Sequence, residues 1–202
     1  MRRFAIVALL VATAASAFAQ HRWSQRRLGV HWENGAPNVS FSVRDLMTQQ
    51  VETQLATGVA QRMNVTIQAF RTGTNRPIVE RQVRCTVTLD LWARNYEVRR
   101  GRRTWRERDL DAVVERCLVL RGVRVGNARE FRRHRGLPII FAVRAEINPI
   151  EPRRCRELLR QSNQDIDFGG SVVISLYRRE ICAAELFKQF RSQDVVVPGA
   201  PP

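Results

Sequence analysis

The sequence predicts an α+β fold: an antiparallel sheet, built as a meander plus later strands, with two or three packed helices in a single domain. Three observations carry this. Consecutive segments alternate apolar and polar residues with a period of two, as half-buried strands do. Apolar stripes at helical spacing lie between them. The links between strands are short, which suits antiparallel pairing, and separate strand-rich from helical stretches suit the α+β class.

Taken in order, residues 20–38 form a polar segment with Trp23 and Trp32 scattered through it, and no strand can be assigned there. Residues 39–43 alternate and predict a short strand. Asp45 is positioned to cap a helix over residues 45–61, with Leu46, Val51, Leu55 and Val59 on one face. Met63, Val65, Ile67 and Ala69 then alternate with Asn64, Thr66 and Gln68 as a strand, and a Gly-, Asn- and Pro-containing turn comes next over residues 72–77. Val83, Cys85, Val87 and Leu89 mark the next strand, and Trp92, Tyr96 and Val98 a third. A second helix is predicted over residues 106–120, its stripe formed by Leu110, Val113, Val114, Cys117 and Leu118. Gly122 and Gly126 break up the chain after this helix. Leu137, Ile139, Phe141, Val143, Ala145 and Ile147 give the clearest strand of the chain. A short helix over residues 151–161, a loop over 165–170 and a strand over 171–177 complete the reading. Residues 181–193 fit either a helix or a terminal strand.

The N-terminus has the layout of an export signal. Arg2 and Arg3 precede an apolar run over residues 4–15, shorter than the roughly 20 residues of a membrane-spanning helix. Ala17-Phe18-Ala19 has the small-x-small pattern of a signal-peptidase site, so cleavage is expected between Ala19 and Gln20. No Cys stands near that bond to be acylated. No transmembrane helix is expected after cleavage, which predicts an exported protein, periplasmic or secreted. The expected organisation is a signal peptide (1–19), a polar N-terminal segment (20–38), one α+β domain (39–197) and a frayed tail (198–202).

The formal net charge is +15, and Lys188 is the only lysine. Arginine codons are GC-rich, so genome composition explains part of this bias. Binding to an anionic partner is the functional reading of the same bias. For an exported protein that partner is an anionic membrane surface or polysaccharide sooner than nucleic acid. The most basic stretch is 94–108, with seven Arg against Glu97 and Glu107. It is expected to be a strand-to-helix loop whose basic tip, Arg99, Arg100, Arg102 and Arg103, either docks on anionic groups with Trp105 at the interface or is a solvated loop of an arginine-biased sequence.

Four cysteines, Cys85, Cys117, Cys155 and Cys182, form an even set in an oxidising compartment, and no C-x-x-C motif occurs. Cys85 sits on the apolar face of its strand and Cys117 in the apolar stripe of the second helix. The predicted disulfides are therefore Cys85–Cys117 and, mostly by elimination, Cys155–Cys182.

No motif for catalysis is present. His21, His31 and His134 lack H-E-x-x-H spacing, and His134 sits among arginines that oppose a bound cation. There is no G-x-S-x-G elbow, Walker loop or G-x-G-x-x-G. Glu107, Asp109, Asp111 and Glu115 lie where acids suit the start of a helix, so a structural role is expected of them. No catalytic, metal or cofactor residues are assigned, and no cofactor is expected.

The order of these pieces resembles an uncharacterised exported-protein family of Gram-negative bacteria, catalogued as a domain of unknown function. The likeness runs through Val39-Ser-Phe-Ser-Val-Arg-Asp-Leu46, the 71–96 strand pair, the 110–120 helix and Leu137-Pro138. It continues in Phe168-Gly-Gly-Ser171, Arg178-Arg-Glu-Ile181 and Phe190-Arg-Ser-Gln193. These are packing patterns, so the resemblance implies an envelope protein and carries over no site residues. The function expected is a non-enzymatic envelope binding or assembly module. An exported enzyme with an unrecognised site is the alternative, and a nucleic-acid-binding protein, suggested by charge alone, the third.

Overall fold

A computed structural model of the protein describes residues 24–150, 153–155, 157 and 184–199. Its strands are β1 (Ser24–Gln25), β2 (Gly29–Glu33), β3 (Ala36–Ser42), β4 (Gln61–Arg71), β5 (Pro77–Asp90), β6 (Asn95–Arg100), β7 (Arg103–Glu107), β8 (Val119–Arg124), β9 (Pro138–Ile147), β10 (Leu186–Arg191) and β11 (Val195–Val196). Its helices are α1 (Gln49–Ala56), α2 (Leu110–Cys117) and a single turn, α3 (Ala128–Phe131), with 3-10 turns at Arg44–Leu46 and Arg132–His134.

The fold is α+β, as expected. An eight-stranded sheet runs β1-β10-β9-β4-β5-β6-β7, with β11 also paired to β9. It is mostly antiparallel, and the β4–β7 meander is there, but β1 and β10 pair in parallel. A second, three-stranded antiparallel sheet, β2-β3-β8, shares one core with the first. Period-two alternation is cleanest where it decides the register. Met63, Val65, Ile67 and Ala69 of β4 are buried, and so are Ile139, Phe141, Val143, Ala145 and Ile147 of β9 beside them. A one-residue slip would turn both sets to the opposite face.

Several expectations are corrected. Asp45 does not cap α1, because its carboxylate is held by Arg26 Nη2 at 2.7 Å and Lys188 Nζ at 3.4 Å. Thr48 takes the N-cap instead, accepting from the Val51 N–H. The helix ends at Ala56, and Val59, the last member of the predicted stripe, is exposed. The second helix begins at Leu110, where the Asp109 carboxylate accepts from the Ala112 N–H at 2.7 Å. It cannot start earlier because residues 103–107 are drawn into β7, across from β6. Trp92 lies in the turn after β5, almost wholly exposed, and not on a strand.

The polar N-terminal segment is part of the domain from Ser24 onward. β1 pairs with β10, Arg26 lies over the Phe190 ring, and β2 forms a hairpin with β3. Within the 181–193 stretch, left open between helix and strand, Leu186–Arg191 form a strand paired with β9. Residues 153–155 and 157 are helical, in keeping with the predicted short helix. The rest of that helix, the 171–177 strand and the signal peptide lie outside the described residues.

Cys85 and Cys117 form the predicted disulfide, with Cα atoms 5.6 Å apart and both residues buried. It ties α2 to β5 inside the core. Cys155 is disulfide-bonded as well, and Cys182 lies outside the described residues.

Candidate anion-binding surface

Residues 94–108 are not a strand-to-helix loop. They supply the β6–β7 hairpin, closed by a two-residue turn at Gly101 and Arg102. Gly101 has φ +62°, which a hairpin turn of type II′ requires at its first central position. A register of Arg100 opposite Arg103 and Val98 opposite Trp105 separates the basic residues by face. Arg99 and Arg106 lie on the face away from the core, where Arg99 pairs with Glu97 at 3.0 Å. Arg102 occupies the tip. Arg100 and Arg103 share the inner face with Val98 and Trp105.

Trp105 is half-buried against the core, and the Arg116 guanidinium lies 5.0 Å from its ring centroid. Arg116 is itself fixed by Glu107 at 2.9 Å. Arg100 is half-buried too. Its Nη1 donates to the Arg116 carbonyl at 2.9 Å, at the end of α2, and burial pushes its pKa below the ordinary arginine value. It has no carboxylate partner among the described residues.

The structure adds arginines that a local reading of the sequence does not bring together. A cleft of about 360 Å³ opens between the hairpin tip, β5 and β8, and carries Arg81, Arg84, Arg100, Arg121 and Arg124. A neighbouring cleft of about 350 Å³ carries Arg100, Arg103, Arg116 and Arg121 together with Trp105 and Glu115. Glu115 is engaged by Arg44 and Arg121. The signal for Arg81 and Arg84 lies in the polar positions of β5, and that for Arg121 and Arg124 in the short run after Leu120. Their convergence depends on strand pairing between distant segments.

The acidic residues of the α2 region have structural partners. Glu107 pairs with Arg116, Asp109 caps α2, Asp111 lies in its first turn, and Glu115 bridges two arginines. His134 is half-buried in a 3-10 turn, with its Nδ1 buried and lacking a hydrogen-bond partner among the described residues. His31 is exposed on β2. A further cavity of about 520 Å³ lies beside Trp32, Phe131, Arg132 and Arg135, and its described lining holds no carboxylate, imidazole, thiol or hydroxyl. Among the described residues no three potential metal ligands cluster, and no helix is long and apolar enough to cross a membrane.

No family model, curated protein or solved structure matches the chain.

Proposed function

We propose that the chain is a non-enzymatic exported protein of the cell envelope, a binding or assembly module that contacts anionic lipid or polysaccharide through the β6–β7 hairpin. The observation supporting this is the concentration of arginine at one end of the sheet. Arg99, Arg102 and Arg103 project from the hairpin, and β5 and β8 add four more. Such a field raises the local concentration of anions and speeds their encounter with the protein. Export rests on the sequence of residues 1–19 and on a buried disulfide, which an oxidising compartment favours. The resemblance to an exported envelope family and the Cys155–Cys182 pairing belong to the same proposal.

Two measurements test it. N-terminal sequencing of the product should return Gln20, and a product beginning at Met1 would remove export. Co-sedimentation with anionic vesicles at low salt should capture the wild-type chain, and the variant with Arg99, Arg100, Arg102 and Arg103 all changed to Gln should be captured less. Capture that is equal for the two chains would remove the hairpin from the account.

A further inference from the structure

We propose that the two clefts flanking Arg100 are one binding site for a ligand carrying two or more phosphate groups, with Arg100 and Arg121 shared between neighbouring phosphates. This rests on the reading that this face meets anions, and narrows it from a surface to a site.

The first argument is charge balance. Five arginines line the cleft between β5, β8 and the hairpin tip, Arg84 among them turning its guanidinium to Gln82 on the outer face of β5, and no carboxylate lines it. Of the five, Arg121 is the one with an ion pair among the described residues, to Glu115. Like charges gathered this way repel one another, and a bound anion relieves that repulsion.

The second argument is Arg100 itself. A half-buried cation without a counter-charge carries a desolvation cost, seen as the lowered pKa. One of its terminal nitrogens is held by the Arg116 carbonyl, which fixes the guanidinium plane. Its other N–H groups are left for a ligand. Guanidinium forks match phosphate oxygens in pairs, which a single ammonium cannot do.

The third argument is shape. The two clefts share Arg100 and Arg121, so a ligand filling one approaches the other across the same two side chains. Each volume lies at the small end of small-molecule sites, which run from roughly 300 Å³ upward. Arg100, at the junction of the two clefts, is half-buried while the arginines around it are exposed, and the aromatic ring nearest the tip, Trp105, is turned inward under Arg116. A flat headgroup layer meets the projecting Arg102 more readily than these clefts. A discrete phosphorylated ligand, free or borne on a lipid, enters them.

The test is titration calorimetry on the folded, oxidised chain with inorganic phosphate and with tripolyphosphate, at about physiological ionic strength, where surface charges are screened beyond roughly 8 Å. Tripolyphosphate should bind at least tenfold more tightly than phosphate. Arg81→Gln with Arg124→Gln should weaken tripolyphosphate binding at least tenfold. These side chains are exposed and without ion pairs among the described residues, so thermal unfolding should be unchanged. Arg99→Gln with Arg102→Gln, outside both clefts, should change it less than threefold. Equal losses in the two variants would mean diffuse charge and overturn the site while leaving the hairpin reading intact, and so would equal affinity for the two probes. Absence of binding to either probe overturns the site. If the wild-type chain ignores anionic vesicles yet keeps this pattern, the surface reading falls and the site stands. Vesicles carrying a phosphomonoester lipid, added in competition with tripolyphosphate, separate the two sources. Displacement by the vesicles indicates a lipid-borne ligand, and its absence a free one.

Discussion

Removing the Cys85–Cys117 disulfide should cost more stability than any surface change in this protein. The two cysteines are 32 residues apart in sequence. Loop-closure entropy for that separation is worth about 3.7 kcal/mol at 25 °C. Domains of this size are stable by about 5–15 kcal/mol in total, so the loss is a large fraction. With a urea dependence of about 2 kcal/mol per molar, the unfolding midpoint should fall on the order of 2 M. The informative comparison is Cys85→Ala, Cys117→Ala and the double variant, each oxidised, with free thiols blocked before unfolding. In a cross-linked protein either single change costs nearly the whole amount, and the second adds about 1 kcal/mol or less of lost packing. Two separate buried thiols would give single costs that simply add. Additive costs of about 1 kcal/mol each would refute the reasoning.

Two further changes probe local supports of the fold, one beside the hairpin and one at the far edge of the sheet. Asp109→Ala removes the side-chain acceptor for the Ala112 N–H and should destabilise by about 1 kcal/mol in denaturant melts, with α2 fraying first in hydrogen exchange. The Asp45 carboxyl is held below the usual carboxylate range, chiefly by the hydrogen bond from Arg26, against an opposing effect of burial and with help from the charges of Arg26 and Lys188. A depressed acid stabilises above its unfolded-state pKa and loses that stabilisation as pH falls through the folded one. Asp45→Asn should therefore be less stable than wild type near neutrality, by under about 1 kcal/mol because the pair is 39% exposed on both sides, and the two chains should converge in acid.

How much of this is legible in the sequence depends on whether a residue's role is local. The β4 and β9 alternations can be read because every second side chain enters the core, and each pattern carries its own register. The Cys85–Cys117 pair can be read for the same reason, since both residues lie on apolar faces that a helix packed on a sheet brings together. β7 reads as a basic loop running into a helix because an edge strand buries little, and Trp105 is the one apolar side chain in Arg103–Glu107. β2 and its turn escape a reading by alternation although a signal is present. Asn34 and Gly35, with φ +51° and +73°, form the dipeptide that a two-residue hairpin favours most, but the flanking residues look too polar to be strand. The α3 turn likewise carries its capping box in Asn127 and Glu130. The arginine clefts are another matter. Arg81, Arg100 and Arg121 lie on three strands from two sheets, and only the long-range pairings place them together.

The central claim is that the hairpin end of this protein meets anions by charge, and the dependence of vesicle binding on salt tests it most directly. Near a membrane surface each basic residue contributes about 1 kcal/mol. Arg99 is already paired with Glu97 and Arg100 is half-buried, so Arg102 and Arg103 should dominate, giving about 2 kcal/mol or roughly thirtyfold in partitioning. Partitioning onto anionic vesicles should fall steeply as salt rises, and Arg102→Gln with Arg103→Gln should reproduce most of that fall at low salt while leaving binding to neutral vesicles unchanged. Salt-insensitive binding, or binding that the paired substitution does not weaken, would contradict the account.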